Sequence, residues 1–220
     1  MRSEPDPPST FAGLAASVAA RAPRLGRTRL VVVDGPAGSG KTTFAGRLGA
    51  ALGAQVLHLD DVYAGWTLEG LTGRLTAGVY RPLAQSQPGS VPRWDWAAGR
   101  FAGSVAVPVA DALVVEGCGS APRAVDGVAV LRVWVEAPLA LRTARGTARD
   151  GEALRAEWLR WQQLEQVEFT AQGTRARADL LVDGAAPPAH REEFRRLPRD
   201  GGATDRVVTP LEHRCRTMGP

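Results

Sequence analysis

The sequence predicts an α/β fold, a three-layer αβα sandwich whose central parallel sheet has about five strands. Short apolar segments that are typical of buried strands alternate with longer segments of helical periodicity. This alternation is typical of helices that cover both faces of a parallel sheet. Several of the apolar segments also end in glycine or carboxylate residues. The carboxyl ends of parallel strands form the edge at which ligands bind, so this edge is the predicted site of chemistry.

The predicted elements follow in chain order. Strands are predicted at 29–34, 55–59, 112–115, 129–135 and 179–182, where short apolar runs occur. Helices are predicted at 10–22, 42–52 and 68–83, and from Pro138 to about residue 171 with a break near Asp150 and Gly151. The last of these helical segments is expected to form a lid. Residues 85–100 are rich in Pro, Gly and Trp and are predicted to be irregular.

Length and composition indicate one folded domain. The chain has 220 residues, of which 44% are hydrophobic and 23% are charged, as in ordinary globular proteins. We predict an N-terminal extension with a helix at 1–28, the folded domain at 29–185 and a disordered tail at 186–220. The Pro- and Arg-rich tail is expected to hold only a helical turn or two near 190–196.

The charge distribution argues against a nucleic-acid partner. The net charge is +4, but residues 30–185 hold 15 basic and 16 acidic residues, so the excess of basic residues lies at the two ends of the chain. No apolar run is long enough to span a membrane, and the N-terminus lacks the apolar core of a signal peptide. Cys118 and Cys215 lie far apart without metal-type spacing, which favours reduced thiols and a cytoplasmic location.

One glycine-rich motif follows the first strand and precedes a helix. It matches G-x-x-x-x-G-K-[ST], in which backbone N–H groups surround a polyphosphate at a helix N-terminus. Lys41 is predicted to reach the outer phosphates, and the Thr42 hydroxyl to coordinate Mg²⁺. The alternative is an ordinary glycine-rich turn. The predicted phosphate-binding residues are Gly35, Ala37, Gly38, Ser39, Gly40, Lys41, Thr42 and Thr43.

The lysine of this motif supports the phosphate-binding interpretation. Lys41 is the only lysine among the 27 basic residues of the chain, and the other basic residues are all arginine. Ile and Asn are absent, which indicates a coding bias against A/T-rich codons. A lysine that is kept against this bias suggests a role that the planar guanidinium of arginine does not fill.

Carboxylates follow two other predicted strands. Asp60 and Asp61 come after the second strand, and Glu116 after the third. Thr42, Asp60 and Glu116 are the predicted Mg²⁺ ligands, directly or through water, and one of the two aspartates is the candidate general base for an acceptor hydroxyl. The alternatives are a helix cap or turn for the Asp pair and a structural salt bridge for Glu116.

Three arginines share one face of the helix that follows Pro138. Arg142, Arg145 and Arg149 have i, i+3, i+7 spacing. Their guanidinium groups are predicted to stabilise the charge of a transferring phosphoryl group, with Arg142 binding nucleotide and Arg145 and Arg149 acting in catalysis. The alternative is a solvated basic face paired with Asp150 and Glu152.

Aromatic residues crowd the middle of the chain and suggest a planar acceptor. Trp158 and Trp161 have the spacing of a helix core face and receive no predicted function. The aromatic residues of the middle region are Tyr63, Trp66, Tyr80, Trp94 and Trp96, and their alternative role is ordinary core packing. The predicted acceptor-binding residues are Asp61, Tyr63, Trp66, Arg93 and Asp95.

The chain resembles the uridine kinase-like group of P-loop small-molecule kinases. The resemblance covers roughly residues 29–184 and rests on GPAGSGKTT, HLDDVY, VVEG, the arginine-spaced RTARGTARD and the strand ADLLVDG. It implies ATP as donor, Mg²⁺, transfer of the γ-phosphate to a hydroxyl, and Asp60 as the base. The nucleoside-binding region matches only loosely, since RWDW keeps an Asp without the surrounding motif.

Three functions remain open at this point. The first is a kinase that acts on the hydroxyl of a nucleoside-like small molecule. The second is a nucleoside monophosphate kinase that uses Arg74, Arg81, Arg93 and Arg100, although the nearby aspartates disfavour an anionic acceptor. The third is a nucleotide-binding regulatory protein with weak ATPase activity. The oligomeric state is left open, with a homodimer as one option.

Overall fold

The computed structural model describes residues 9–185 and 190–199. Nine strands lie in these ranges: β1 (Ser9–Thr10), β2 (Arg29–Asp34), β3 (Gln55–His58), β4 (Gly89–Asp95), β5 (Arg100–Val107), β6 (Ala112–Glu116), β7 (Ala129–Glu136), β8 (Leu180–Asp183) and β9 (Glu193–Arg196). The helices in the same ranges are α1 (Phe11–Ala19), α2 (Lys41–Leu52), α3 (Leu71–Leu75), α4 (Arg81–Ala84), α5 (Leu139–Asp150), α6 (Arg155–Gln172) and α7 (Thr174–Arg177). A π-helical turn, Thr76–Tyr80, joins α3 to α4.

A sheet with helices on both faces confirms the predicted α/β fold class. Its strand order is β1-β9-β8-β7-β2-β6-β3. The strands β3, β6, β2, β7 and β8 are parallel and correspond to the five that were predicted. Beyond β8, strand β9 pairs antiparallel with β8, and β1 pairs antiparallel with β9. The sheet therefore has seven strands rather than five.

Strand β2 explains why the central strands are apolar throughout. Its alternate residues face opposite sides of the sheet. Val31 and Val33 pack in one hydrophobic cluster with helices α1 and α2, and Leu30 and Val32 pack in a second cluster. The second cluster also contains Trp161 of α6. Because both faces are covered, every strand position favours an apolar side chain.

The N-terminal helix is shorter than predicted and packs on the sheet domain. Thr10 caps α1 by accepting a hydrogen bond of 3.1 Å from the N–H of Gly13. The helix ends at Ala19 rather than at residue 22. The rings of Phe11, Phe44 and Phe194 lie 5.1–5.3 Å apart and join α1, α2 and β9.

The segment near residue 190 differs from the prediction. A disordered tail with a helical turn was expected at 190–196, but Glu193–Arg196 forms β9 and pairs with β8 and β1. The physical reason is the burial of Phe194, which is 4% exposed and packs on two other phenylalanine rings. The predictions for residues 1–8 and 200–220, including Cys215, lie outside the described residues.

A β-hairpin replaces the irregular segment that was predicted at 85–100. Strands β4 and β5 pair antiparallel from Gly89–Val107 to Asp95–Arg100. Val91 and Val107 are fully buried in the second hydrophobic cluster and fix the base of the hairpin. Pro92 lacks an N–H donor, but a two-stranded hairpin leaves edge positions that tolerate proline. The hairpin carries Trp96 in its turn.

None of the helices within 9–185 and 190–199 combines the length and apolarity that crossing a membrane requires.

Candidate active site

A cavity of about 660 Å³ opens at the carboxyl ends of strands β2, β3 and β6. It is lined by residues of the glycine-rich motif, by two carboxylates at strand ends, by helices α5 and α6, and by several aromatic rings. The lining residues include Lys41, Thr42, Asp60, Tyr63, Trp66, Trp96, Glu116, Arg145, Arg149, Trp158 and Trp161. Four separate parts of the predicted site therefore meet in one space.

The motif forms a loop that ends at the N-terminus of α2. Gly38 and Gly40 have φ angles of 77° and 100°, which side chains rarely adopt. A Cβ atom at Gly38 would also lie 2.6 Å from the carbonyl oxygen of Arg142, so only glycine fits there. Helix α2 starts at Lys41 and directs its N-terminal partial positive charge towards the loop.

The polar groups of this loop fit a polyphosphate. The Lys41 ammonium donates a hydrogen bond of 3.0 Å to the carbonyl oxygen of Pro36 and lines the cavity. The Ser39 hydroxyl is buried and has no hydrogen-bond partner among the described residues. A phosphate oxygen would supply the negative charge and the acceptors that these groups lack.

Thr42 and Glu116 place two oxygen atoms that could ligate a metal ion beside the loop. The Thr42 hydroxyl donates a hydrogen bond of 3.2 Å to Glu116 Oε1, and Asp60 lines the same cavity. Hydroxyl and carboxylate oxygens are ligands that Mg²⁺ prefers. Within the described residues, no group of three or more His, Cys, Asp and Glu side chains could hold a metal. The Thr42 hydroxyl and the Glu116 carboxylate, as hard oxygen ligands, fit a Mg²⁺ ion that takes its other ligands from phosphate and water.

His58 contacts this pair and was not identified from the sequence. Its Nδ1 atom lies 2.6 Å from Glu116 Oε1, the same oxygen that accepts the Thr42 hydrogen bond. The hydrogen bond to Glu116 raises the pKa of His58 above its usual 6.5. His58 ends β3 and stands two residues before Asp60, but a lone histidine in a strand carries no signal of this contact.

The two aspartates occupy different places in the turn Leu59–Asp61. Asp60 lines the cavity, whereas Asp61 does not belong to its lining. Burial by the surrounding protein raises the pKa of Asp60, and the nearby Glu116 carboxylate raises it further. An aspartate with a raised pKa takes up a proton more readily than an ordinary one, as a general base requires.

Helix α5 places its three arginines along the glycine-rich loop. The Arg142 guanidinium donates to the carbonyl oxygen of Ala37 and to Glu165, but Arg142 does not line the cavity. Arg145 donates to the carbonyl oxygens of Gly38, Gly184 and Ala185 at 2.8–3.2 Å and lines the cavity. The arrangement brings Arg145 to the loop that Lys41 also contacts.

Arg149 also lines the cavity, near the open end of α5. It pairs with Asp150 at 2.8 Å and lies over the Trp158 ring, 5.6 Å from the ring centroid. The ion pair with Asp150 agrees with the alternative interpretation of these arginines, a solvated basic face paired with nearby acids. Glu152, the other acid of that alternative, instead pairs with Arg155.

Glu165 is a buried carboxylate that the sequence did not identify. It lies on α6, is 2% exposed and accepts a hydrogen bond of 2.8 Å from the backbone N–H of Ala37. The Cys118 thiol donates to this same oxygen, Oε2, and the Arg142 guanidinium donates to the other oxygen, Oε1. Glu165 therefore ties α6 and α5 to the phosphate-binding loop.

Only some of the predicted acceptor-binding residues line the cavity. Tyr63 and Trp66 line it, while Arg93 and Asp95 do not. Asp95 Oδ1 instead accepts hydrogen bonds of 3.0 and 2.9 Å from the N–H groups of Ala97 and Ala98 in the hairpin turn. Trp158 and Trp161 are buried, as expected for a core face, and in addition line the cavity.

Comparisons with known proteins identify the fold. No protein-family model and no curated protein matches the sequence. A solved structure of a possible uridine kinase from Bacillus stearothermophilus is similar over 78% of this chain and 96% of its own, with 20% identity and a TM-score of 0.55. A protein proposed as a fructose transport system kinase, from Silicibacter sp. TM1040, is similar over 73% of this chain and 95% of its own, with 22% identity and a TM-score of 0.55.

These identities establish a shared fold rather than a shared substrate. The parallel sheet, the glycine-rich loop before α2 and the helices over the cavity agree with that likeness. The chain therefore has the α/β fold of the P-loop kinases.

Proposed function

We propose that the protein transfers the γ-phosphoryl group of ATP to a hydroxyl of a nucleoside-like small molecule. The observation that carries this proposal is that one cavity is lined by the glycine-rich loop, by Asp60 and by a group of aromatic rings from Tyr63, Trp66, Trp96 and Trp161. The Asp60 carboxylate shares the cavity with the loop, so it is placed to take a proton from an acceptor hydroxyl. The aromatic rings supply a place for a second substrate.

Each group of residues in the cavity has its own role in this reaction. The loop N–H groups, the N-terminus of α2 and Lys41 hold the triphosphate, and Arg145 and Arg149 stabilise the charge on the transferring group. A Mg²⁺ ion held by Thr42 and Glu116 would neutralise charge on the phosphate oxygens when bound. The Asp60 carboxylate takes the proton of the acceptor hydroxyl. The acceptor oxygen then bonds to the γ-phosphorus, the bond to the β-phosphate oxygen breaks, and ADP leaves with the electron pair.

The structure gives little support to a nucleoside monophosphate kinase. That reaction needs arginines for an acceptor phosphate. Arg74, Arg81, Arg93 and Arg100 do not line the cavity, and the Arg74 guanidinium lies over the Phe101 ring at 5.2 Å. The acceptor half of the cavity instead presents Asp60 and aromatic rings.

The proposal is tested by screening acceptors with ATP and Mg²⁺. The full chain would be incubated with nucleosides, nucleoside monophosphates, sugars and vitamins, and phosphorus NMR would identify any new phosphate ester. We expect a monoester and stoichiometric ADP with at least one neutral alcohol. ATP hydrolysis that no acceptor alters would contradict the proposal and favour a regulatory nucleotide-binding protein. The cytoplasm, where ATP is available, remains the predicted location.

A further inference from the structure

The acceptor half of the cavity is walled by a continuous set of aromatic rings. Tyr63 and Trp161 have ring centroids 5.0 Å apart, and Trp161 and Trp66 are 6.0 Å apart. Trp66 then contacts Trp96 at 5.7 Å. All three pairs are edge-to-face, with interplanar angles of 61°, 76° and 69°. We call these four residues the aromatic wall.

The aromatic wall is assembled from three separate parts of the chain. Tyr63 and Trp66 follow the turn after β3, Trp96 lies in the hairpin turn, and Trp161 lies on α6. Trp96 is 47% exposed, although its indole N–H is fixed by a hydrogen bond of 2.9 Å to the carbonyl oxygen of Asp60. A large ring held in an exposed position beside the candidate base suits contact with a ligand better than it suits core packing.

Two of the four polar atoms of the aromatic wall are used within the protein, the Trp96 indole N–H and the Tyr63 hydroxyl. The Tyr63 hydroxyl donates to the carbonyl oxygen of Cys118 at 2.9 Å. The indole N–H of Trp158, next to the wall, donates to Asp150 at 2.8 Å. The indole N–H groups of Trp66 and Trp161 have no hydrogen-bond partner within 9–185 and 190–199. The wall therefore offers flat apolar faces and a few donors, since an indole N–H donates but does not accept.

The carboxylates near the wall are also mostly engaged. Glu116 receives hydrogen bonds from Thr42 and contacts His58, and Asp150 pairs with Arg149 and Trp158. Among the described residues that line the cavity, this leaves the Asp60 carboxylate as the free acceptor for an incoming hydroxyl. A sugar needs several donors and acceptors around its ring, because buried hydroxyls without partners are unfavourable. The cavity matches a planar ring that carries one reacting hydroxyl.

We infer that the acceptors of this protein are heteroaromatic alcohols, recognised through a planar ring with hydrogen-bond-accepting atoms rather than through a sugar. This inference rests on the proposed function and narrows it. The ring stacks on the aromatic wall, its acceptor atoms meet the indole N–H groups, and its hydroxyl reaches Asp60. A ribose, as in a nucleoside, is dispensable for binding.

Binding of four probes to the full chain tests the inference, measured by titration calorimetry with Mg²⁺ and a non-hydrolysable ATP analogue. The probes are 3-pyridinemethanol, which is a ring without a sugar, then uridine, ribose and fructose. We expect 3-pyridinemethanol and uridine to bind, and ribose and fructose to bind at least about 10-fold more weakly, as expected for one or two stacking contacts. Stronger binding of ribose or fructose, or no binding of 3-pyridinemethanol, would overturn the inference.

A matched pair of tryptophan variants assigns the binding to the wall. Trp66→Leu should weaken 3-pyridinemethanol binding about 10-fold, the loss expected for a stacking ring. Trp94→Leu is the control, because Trp94 lies two residues before Trp96 of the aromatic wall but contacts Phe101 and does not line the cavity. Equal effects of the two variants would contradict the inference. Phosphoryl transfer to 3-pyridinemethanol is measured separately, so tight binding without transfer would overturn the proposed function and leave only the preference of the cavity for a planar ring.

Discussion

Glu165 Oε2 lies 2.8 Å from the backbone nitrogen of Ala37, so a buried helix carboxylate accepts a hydrogen bond from the middle of the phosphate-binding loop. The same carboxylate pairs with Arg142 at 3.1 Å, and the two side chains are 3% and 12% exposed. Because the N–H of Ala37 is fixed by Glu165, this contact links the packing of α6 to the conformation of the glycine-rich loop.

Glu165→Gln should weaken both stability and ATP binding. The substitution leaves the Arg142 guanidinium buried without its charged partner, and loss of one member of a buried pair costs about 3 kcal/mol. Urea unfolding and calorimetric titration with ATP would measure the two effects. Glu157→Gln is the control on the same helix, where the exposed pair with Arg160 should contribute less than about 1 kcal/mol. Equal stability of the two variants would contradict the anchoring role.

Asp60→Asn and Asp61→Asn should separate the two aspartates. Asp60 lines the cavity and Asp61 does not, so loss of the Asp60 carboxylate should lower kcat by about 10²–10⁴-fold, the range for general-base catalysis. Asp61→Asn should leave kcat within a few-fold of the wild type. Steady-state kinetics with the best acceptor would decide. If Asp61→Asn were the more damaging change, the base would be assigned to the wrong residue.

Arg149→Ala should lower kcat without unfolding the protein. Its guanidinium lines the cavity, and its side chain is 63% exposed, so little packing is lost. Removal of one group that stabilises transition-state charge typically costs about 10²–10³-fold in kcat. Arg155→Ala is the matched control, because Arg155 pairs with Glu152 and is 60% exposed. Similar kcat values for the two variants would favour the solvated-face interpretation of Arg149.

Asp34 should give the unfolding free energy a distinct pH dependence. The carboxyl is fully buried, and burial raises its pKa from 3.8 to about 6. Between these values the folded state holds more protons at this site than the unfolded state, so the contribution of Asp34 to stability falls as the pH rises. The shift corresponds to about 3 kcal/mol at 1.36 kcal/mol per unit.

Asp34→Asn isolates this contribution. Asn removes the titration but still offers an oxygen to the N–H groups of Gly35 and Gly119, which bond to Oδ1. The stability advantage of the wild type over the variant, measured by urea unfolding, should shrink by about 2 kcal/mol between about pH 4 and about pH 7. A difference that stays constant or grows with pH would show that burial does not raise the pKa of Asp34.

The sequence predicted the part of the fold that depends on local patterns. The five parallel strands are apolar because both of their faces are buried, and a glycine-rich loop before a helix has a recognisable spacing. Strand β9 lacks such a pattern. Its segment Glu193–Arg196 has one apolar residue, Phe194, whose partners Phe11 and Phe44 lie more than a hundred residues earlier in the chain.

The candidate site was predictable only where it depends on local sequence patterns. The phosphate-binding loop, Asp60 and Glu116 follow strand ends, so their position in the fold could be inferred. Glu165 could not be recognised, because a helix carboxylate that contacts a loop 128 residues away looks like any solvated Glu. Trp161 has core spacing and is buried, yet it also lines the cavity, since the core and the site share this face of α6.

The central claim is that the glycine-rich loop holds a triphosphate for transfer and that Lys41 is essential to it. Lys41→Arg keeps the positive charge but replaces a compact ammonium with a planar guanidinium group. Lys41 is only 8% exposed, so the larger group does not fit this position. The decisive measurement is acceptor-dependent ADP formation by Lys41→Arg, with thermal unfolding as the check on folding. We predict an unfolding temperature close to that of the wild type and a loss of kcat of at least about 10²-fold. Wild-type turnover in this variant would contradict the account.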